Sequence, residues 1–345
     1  MSVIGIDLGG TKIAVGAFQN GELKSHLTFP TPQEGGDAIV QLMGEAALQA
    51  AREARLNPLA VGLATPGPLD YRSGSIRFAP NLKGVDNFPI QQKLAEKLGL
   101  PTRLENDANA AALAEHHLGA AQGATSSLFI TISTGIGGGV ILDGKPLRGS
   151  HGQGAEIGHL TVLPGGPMCG CGNAGCLEAL ASGRALAREA TFAYQTPMTT
   201  HDLFERFQEG EEKAVRILWQ AAHHVGVALA SCVKAFDPEV IVLGGGIAVA
   251  LGDTYLNMVR DSYQQSISGW VAPPIEAAHF GNEAGVLGAA LAAELIDIVG
   301  TVAEGRGPRA EGQGPSGHCE AGDPTSTFHN QERAESILAS VHSNK

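Results

Sequence analysis

The sequence predicts an α/β protein built as two packed lobes, each a mixed sheet with helices on its faces and a cleft between them. Three observations carry this. At 345 residues the chain exceeds one ordinary domain. Short β-branched runs alternate with stretches of helical periodicity instead of segregating from them. Both halves also open with the same device, two strands joined through glycines.

Composition sets the bounds. Hydrophobic residues make up 43% and charged residues 17% of the chain, enough apolar material for sizeable cores and too little charge for a disordered one. The 47 glycines exceed an ordinary share and forecast many tight turns. With 23 Lys+Arg against 35 Asp+Glu the formal charge is −12, which opposes attraction to phosphate backbones and anionic lipid, so neither a nucleic acid nor a membrane is an expected partner. No run approaches the ~18 apolar residues of a membrane span. Met1-Ser2-Val3-Ile4-Gly5-Ile6-Asp7 places an acid where a signal peptide needs a basic and then apolar run, and the expected location is cytoplasmic.

In the first lobe, residues 1–118, Val3 to Ile6 and Ile13 to Phe18 read as strands around Leu8-Gly9-Gly10-Thr11-Lys12, and Gly21 turns the chain into a third strand ending near Pro30. Gly35 to Leu56 has helical spacing, Leu59 to Thr65 reads as a strand, Ile90 to Leu98 as a helix, Pro101 to Glu105 as a strand, and Asn106 to Leu118 as an Ala-rich helix. The second lobe, residues 119–283, repeats the opening: Leu128 to Ser133 and Val140 to Asp143 flank the glycine turn Thr134-Gly135-Ile136-Gly137-Gly138-Gly139. Glu212 to Phe236 is a long helix, Val240 to Leu243 a strand, and Gly244-Gly245-Gly246 a turn into another helix. A last Ala/Leu helix from Ala284 to about residue 298 is expected to pack back on the first lobe. Residues 301–345 are rich in Gly, Pro, Ser, Glu and His without periodicity, and a disordered tail is expected. Ile4 to Gly10 set beside Ile130 to Ile136 gives a weak internal echo, which suggests a duplicated fold whose glycine hairpins face each other across the cleft.

The segment from Gly5 to Lys12 superficially resembles a Walker A loop, but its last two residues run Thr-Lys and a strand follows in place of a helix. No G-x-G-x-x-G opening a helix with a downstream acid occurs either, which disfavours a dinucleotide fold. A hairpin can still hold phosphate. Glycines let backbone N–H groups approach oxygens, Thr11 and Lys12 add a hydroxyl and a cation, and Asp7 can hold Mg²⁺ directly or through water. Taken alone, the first motif reads better as an ordinary hairpin with a turn-forming Asp. Three such turns point to a nucleotide, with Asp7, Gly9, Gly10, Thr11, Lys12, Thr134, Gly135, Gly137, Gly138, Gly244 and Gly245 as its candidate contacts.

Asn106-Asp107 stands where a strand should pass into a helix, at the carboxyl edge of a sheet where α/β proteins place ligands. Both residue types are also preferred helix caps. In the functional reading Asp107 takes the proton from an attacking hydroxyl while Asn106 orients the substrate, and the two roles are compatible.

The most specific signal is Cys169-Gly170-Cys171-Gly172-Asn173-Ala174-Gly175-Cys176, with His159 ten positions upstream in Glu156-Ile157-Gly158-His159. Cysteines this close in a cytosolic chain, spaced by glycines that permit a chelate's sharp turns, suit a tetrahedral Cys₃His zinc site better than a disulfide or surface thiols. Four protein ligands close the coordination sphere, so the metal would be structural. Cys232 lies in an apolar helix and reads as a packing residue, Cys319 as a loose thiol in the tail.

Together, Asp7-Leu8-Gly9-Gly10-Thr11-Lys12, Asn106-Asp107, Ser133 to Gly139, Glu156-Ile157-Gly158-His159 and the Cys169/Cys171/Cys176 cluster resemble the ROK family of sugar kinases and repressors, over about residues 2 to 298. The resemblance implies an actin-like ATPase (ribonuclease H-like) fold, with ATP in the interlobe cleft and a hexose beneath its γ-phosphate. By that similarity Asp107 is the catalytic base and Asn81, Asn106, Asp107, Glu156, His159 and Glu178 contact sugar hydroxyls, with His159 serving both sugar and zinc. Thr65-Pro66-Gly67-Pro68 resembles the family's sugar-pocket loop, with Gly67 as a backbone contact. Val85 departs from the pattern, since many family glucokinases carry an aromatic residue there.

The activity so implied is that of a glucokinase, Mg²⁺-assisted transfer of the ATP γ-phosphoryl to the 6-hydroxyl of a hexose, D-glucose foremost. Kinases of N-acetylmannosamine, N-acetylglucosamine or fructose share the chemistry with a reshaped pocket. A sugar-sensing repressor is disfavoured because the sequence starts with the first strand, is acidic and keeps Asn106-Asp107. A structural ATPase leaves the cysteine cluster unexplained. Family similarity further implies a homodimer or homotetramer.

Overall fold

The computed structural model describes residues 1–79 and 81–295. The expected tail at 301–345 and the far end of the last helix lie outside the described residues.

The chain begins with a meander, β1 (Ser2–Leu8), β2 (Lys12–Gln19) and β3 (Glu22–Pro30). Strand β1 is buried along nearly its whole length, as a strand covered on both faces must be, whereas β3 alternates between exposed and half-buried residues in the manner of an edge. Helix α1 (Gly36–Ala54) then leads to β4 (Ala60–Thr65), a short hairpin of β5 (Leu69–Asp70) and β6 (Ser75–Ile76), helix α2 (Ile90–Leu98), β7 (Thr102–Asn106) and α3 (Asp107–His117). The first sheet has the order β3-β2-β1-β4-β7. Its meander is antiparallel, while β1-β4 and β4-β7 are parallel and are therefore joined by helical crossovers.

The second half follows with β8 (Ser126–Ile132), β9 (Ile136–Leu142), β10 (Lys145–Pro146), a 3₁₀ turn at Ile157–His159, and helices α4 (Leu177–Ala181), α5 (Gly183–Tyr194), α6 (Thr200–Gln208) and α7 (Glu212–Phe236). Strand β11 (Val240–Gly244), helix α8 (Gly246–Ser266), β12 (Ile275–Ala277), a 3₁₀ turn at Gly281–Glu283 and α9 (Ala284–Glu294) complete it. This sheet runs β10-β9-β8-β11-β12, with β8-β9 antiparallel and β8-β11 and β11-β12 parallel. Order and strand directions reproduce those of the first sheet, so the faint sequence echo between the two glycine hairpins marks a duplicated topology.

Each sheet has its own apolar core. Ile4, Ile6, Val15, Ile39, Met43 and Leu63 anchor the first, and Leu128, Ile130, Val225, Leu229, Tyr255 and Tyr263 the second. Helices α3 and α9 fill the space between the sheets. Helix α9 presses on β1 and β4, α3 presses on β9, and the two helices cross each other at Gly288 and Ala110, where an added Cβ on Gly288 would collide with the Ala110 carbonyl. Close approach of backbones needs small side chains, which explains why α3 and α9 are so rich in alanine.

One difference from the sequence reading is instructive. Residues 137–139 belong to strand β9, and the turn itself is only Ser133 to Gly135. A Cβ on Gly139 would stand 2.6 Å from the Ala112 Cβ and 3.0 Å from the Ala108 carbonyl, so that glycine exists to let α3 lie on the sheet. Helices α5 and α6, which the sequence analysis leaves unassigned, are short. Their clearest local mark is the capping box in which Thr199 and Asp202 exchange hydrogen bonds at the start of α6.

Candidate active site

A cleft of about 1140 Å³ opens between the sheets. The parallel strands deliver residues to it in order. Strand pairing sets Asp7 beside Ala64 and Thr65 beside Asn106, so the carboxyl ends of β1, β4 and β7 bring Asp7, the Pro66-Gly67-Pro68 turn and Asn106-Asp107 to one edge. The second sheet contributes the equivalent edge, with Ser133 and Gly135 after β8, Gly244 to Gly246 after β11 and Ala278 after β12.

Asn106 is the N-cap of α3. Its Oδ1 accepts the N–H groups of Ala108 at 3.0 Å and Asn109 at 3.2 Å, and its amide nitrogen, lying toward Gly67, has no hydrogen-bond acceptor among the described residues. The cap therefore occupies only one end of the Asn106 amide. Asp107 accepts the Ala108 N–H at 2.8 Å through Oδ1, and Oδ2 remains. Burial raises the Asp107 pKa against the lowering effect of that backbone N–H. Asp7 is pushed up to about 6 by burial and then by the charge of Asp107, with Lys12 pulling the other way. Its carboxylate rests against Gly285 at the start of α9, where any Cβ would strike it.

The opposite wall carries Glu156, His159 and Glu178. Glu178 Oε2 accepts the Ile136 N–H at 3.0 Å, and its other oxygen lies 3.5 Å from Arg184. Glu156 is raised by desolvation, against His159, and further by Asp107 and Glu178. These acids therefore share one space. Lys12 is the lysine that reaches it, and the surplus negative charge suits a dication brought in with a polyphosphate.

Behind this wall lies the cysteine loop. A ring nitrogen of His159 and the Sγ atoms of Cys169, Cys171 and Cys176 all fall within 4.8 Å of one another, with Nδ1 toward Cys169. The Cys169–His159 and Cys171–Cys176 separations are both 3.6 Å. A tetrahedral zinc with Zn–S near 2.3 Å and Zn–N near 2.0 Å implies edges of about 3.5–3.8 Å, so the donor set fits that ion. The loop is shaped for it: Gly172 and Gly175 have φ of 91° and 77°, the Cys169 N–H donates to the Asn173 carbonyl at 2.8 Å, and Thr161 bridges to Cys176. Since Nδ1 faces the thiols, Nε2 is left to the cleft that His159 lines.

Most of the residues singled out in the sequence meet here. Asp7, Gly9, Lys12, Gly67, Asn106, Asp107, Gly135, Gly137, Gly138, Glu156, His159, Glu178, Gly244 and Gly245 all line the cleft. Gly10, Thr11, Asn81 and Thr134 stand beside it and are not on its wall; Asn81 is exposed and abuts Gly10. Val85 is fully buried in the first core, so the missing aromatic residue is a matter of packing there and not of a cleft contact.

In the sequence Gln153 and Glu115 carry no role, and Ser133 has only a place in the glycine motif. The Ser133 hydroxyl accepts the Gly246 N–H at 2.9 Å and so ties two glycine turns together. Glu115 is buried and accepts the N–H groups of His279 and Phe280 at 2.8 and 2.9 Å, fixing the loop that leads to Gly281 and Asn282 at the cleft. A lone acid in the Ala-rich apolar stretch of α3 was its only signal.

A family model described as ROK family matches residues 3–295. A glucokinase of Halalkalibacterium halodurans is 36% identical, covering 83% of this chain and 92% of its own. An N-acetylmannosamine kinase of Haemophilus influenzae is also 36% identical, covering 84% and 94%. Among solved structures, a ROK hexokinase from Thermus thermophilus is 58% identical with a TM-score of 0.83, covering 86% of this chain and 98% of that one. A ROK family glucokinase from Streptomyces griseus in complex with glucose and AMPPNP is 35% identical with a TM-score of 0.73, covering 85% and 99%. The duplicated sheets and the cleft between them are accordingly those of an actin-like ATPase fold, and the chain belongs to the ROK family.

Proposed function

We propose that this protein is an ATP-dependent hexose kinase of the glucokinase type, which phosphorylates the 6-hydroxyl of D-glucose. The observation that carries the reading is the meeting of Asp107, whose Oδ2 is free and whose basicity is raised by burial, with Glu156, His159 and Glu178 across one cleft that glycine turns continue on its other side.

Asp107 Oδ2 accepts the proton of the attacking hydroxyl as the phosphoryl group arrives. A carboxylate pushed above its ordinary pKa is the stronger base for this, and general-base assistance of this kind is worth about 10²–10⁴ in rate. Asn106, held by its capping bonds, presents its amide N–H to the sugar. Glu156 and Glu178 accept from sugar hydroxyls, and the pattern of acceptors distinguishes epimers. Gly67 supports the sugar from the β4 side. The turns at Gly9, Gly135 and Gly244-Gly245 supply backbone N–H groups to the nucleotide, joined by Lys12, with Gly137 and Gly138 of β9 as bare strand backbone beside them, while Thr11, Gly10 and Thr134 extend that surface at its rim. Mg²⁺ bound with ATP supplies charge neutralisation on the phosphates, and Asp7 is the carboxylate that would hold it. His159, Cys169, Cys171 and Cys176 would hold the zinc, which would fix the imidazole orientation and with it the sugar loop. No helix among the described residues is long and apolar enough to cross a membrane, and both substrates of the proposed reaction are small and water-soluble.

The test is ADP release coupled to a readout across glucose, mannose, fructose, N-acetylglucosamine and N-acetylmannosamine, each against a no-sugar control. A glucose preference is expected. Preference for an N-acetyl sugar would keep the mechanism and move the substrate, and tight sugar binding without turnover would make the protein a sensor.

A further inference from the structure

One buried charge stands immediately beside the proposed catalytic pair without belonging to it. Glu105, next to Asn106 at the end of β7, is fully buried. Its Oε1 accepts the Tyr71 hydroxyl at 2.7 Å, the Asn106 backbone N–H at 3.1 Å and the Asn109 side-chain amide at 3.3 Å. Its Oε2 accepts both Nε, at 3.0 Å, and Nη2 of Arg148.

Arg148 comes from the other half of the molecule. It follows β10 at the base of a glycine-rich loop that the Leu147 N–H ties to β9 through the Val140 carbonyl at 2.8 Å. Its guanidinium lies over the Tyr71 ring, 5.1 Å from the centroid. Its carbonyl accepts the Gly154 N–H at 2.9 Å and closes the loop on itself. Gly152 sits on the Tyr71 ring so closely that a Cβ there would be 2.9 Å from Cδ2. Just beyond, Gln153, Gly154 and Glu156 line the cleft.

A single carboxylate therefore touches the backbone of Asn106 with one oxygen and the root of the loop that carries Glu156 with the other. With Glu105 fully buried and the Arg148 side chain 25% exposed, such an ion pair adds little net stability, because desolvation offsets attraction, and its best-attested use is to fix one arrangement over others. Arginine suits that use because its planar fork holds a carboxylate in one geometry, which a lysine cannot do. Burial, and then the Glu105 charge, hold the Tyr71 phenol above its usual pKa, so it stays a donor.

We infer that Arg148 is a positioning residue whose pair with Glu105 latches the 148–156 loop of the second half against β7 of the first, setting Glu156 opposite Asn106 and Asp107. This rests on the hexose kinase reading for its catalytic consequence, while the latch itself concerns the loop alone.

Arg148→Ala is compared with wild type and Arg148→Lys for KM of glucose and of ATP, kcat, zinc content, and amide hydrogen exchange along the chain. The expected outcome for Arg148→Ala is a glucose KM raised about tenfold or more, with an ATP KM changed less than about twofold and zinc retained. Added guanidinium ion at millimolar concentration should restore part of the loss, and Arg148→Lys should fall between. Exchange at 149–156 should accelerate about tenfold while α7 is unaffected. An unchanged glucose KM, or equal losses for both substrates with no response to guanidinium, would overturn the proposal. Should wild type phosphorylate no sugar, the kinase reading fails separately, and hydrogen exchange still decides the latch: unchanged protection at 149–156 sinks it. If Arg148→Ala does not fold, Tyr71→Phe gives the same readouts in a milder form, with glucose KM raised and ATP KM constant expected, and no change in the glucose KM contradicting the latch.

Discussion

Replacing Asp7 with Asn should make the protein more stable while removing its activity. Asp7 is only partly exposed and its pKa rises from 3.8 to about 6, chiefly through burial and then through Asp107. The folded protein therefore binds this proton more tightly than the unfolded chain does. Below about pH 4 both states are protonated and the group is neutral in the balance. As pH rises from about 4 to about 6 the unfolded state ionises first, so stability falls through that window, and above it the cost is complete. A shift of about two units at about 1.4 kcal/mol each comes to about 3 kcal/mol, which residual exposure trims to about 2–3 kcal/mol. Asparagine keeps the shape and carries no charge. Urea unfolding of wild type and Asp7→Asn between pH 3.5 and 8, without nucleotide or Mg²⁺, measures the difference directly. The expected gap is nearly zero at the acid end, opens between about pH 4 and 6, and holds at about 2–3 kcal/mol above. A variant no more stable than wild type at pH 7, or a gap independent of pH, would refute the reasoning. Such a strained acid is one that function keeps at the expense of stability.

Two further outcomes follow from the packing and the metal loop. Cys171→Ser should lower bound zinc far below one per chain and weaken glucose binding about tenfold, because the His159 orientation is set by the same cluster; zinc retained at full occupancy would contradict the ligand assignment. Gly288→Ala should destabilise the protein by about 1–3 kcal/mol or more, since its Cβ meets the Ala110 carbonyl where α9 crosses α3, and an unchanged melting temperature would show that the crossing is looser than described.

Local signals were the legible ones. The strands of the two hairpins, helix α2 and the whole of α7 are marked by β-branched runs or by uninterrupted helical periodicity, and their ends coincide with glycine, proline or an αL residue such as Asp237. The Cys₃His loop was legible because all four ligands lie within eighteen residues of chain. What escaped depends on partners distant in sequence. Gly137 to Gly139 look like a turn until α3, some thirty residues upstream, is placed on Gly137 and Gly139, and Ile157 on Gly138. Glu105 and Glu115 look like ordinary acids until the residues they hold, Arg148 and the His279-Phe280 backbone, arrive from the other half. Asn81 is a sugar contact by the family resemblance alone, and in the structure it lies beside Gly10 at the rim.

The central claim is that Asp107 serves as the base in phosphorylation of a hexose bound in this cleft. It is tested most directly by measuring glucose 6-phosphate formation from ATP and glucose by wild type and by Asp107→Asn, alongside the glucose affinity of each. The account predicts phosphorylation lower by about 10²–10⁴ in the variant, with glucose affinity within about threefold of wild type because Asn106, Glu156, His159 and Glu178 still hold the sugar. Near-normal turnover by Asp107→Asn would contradict it.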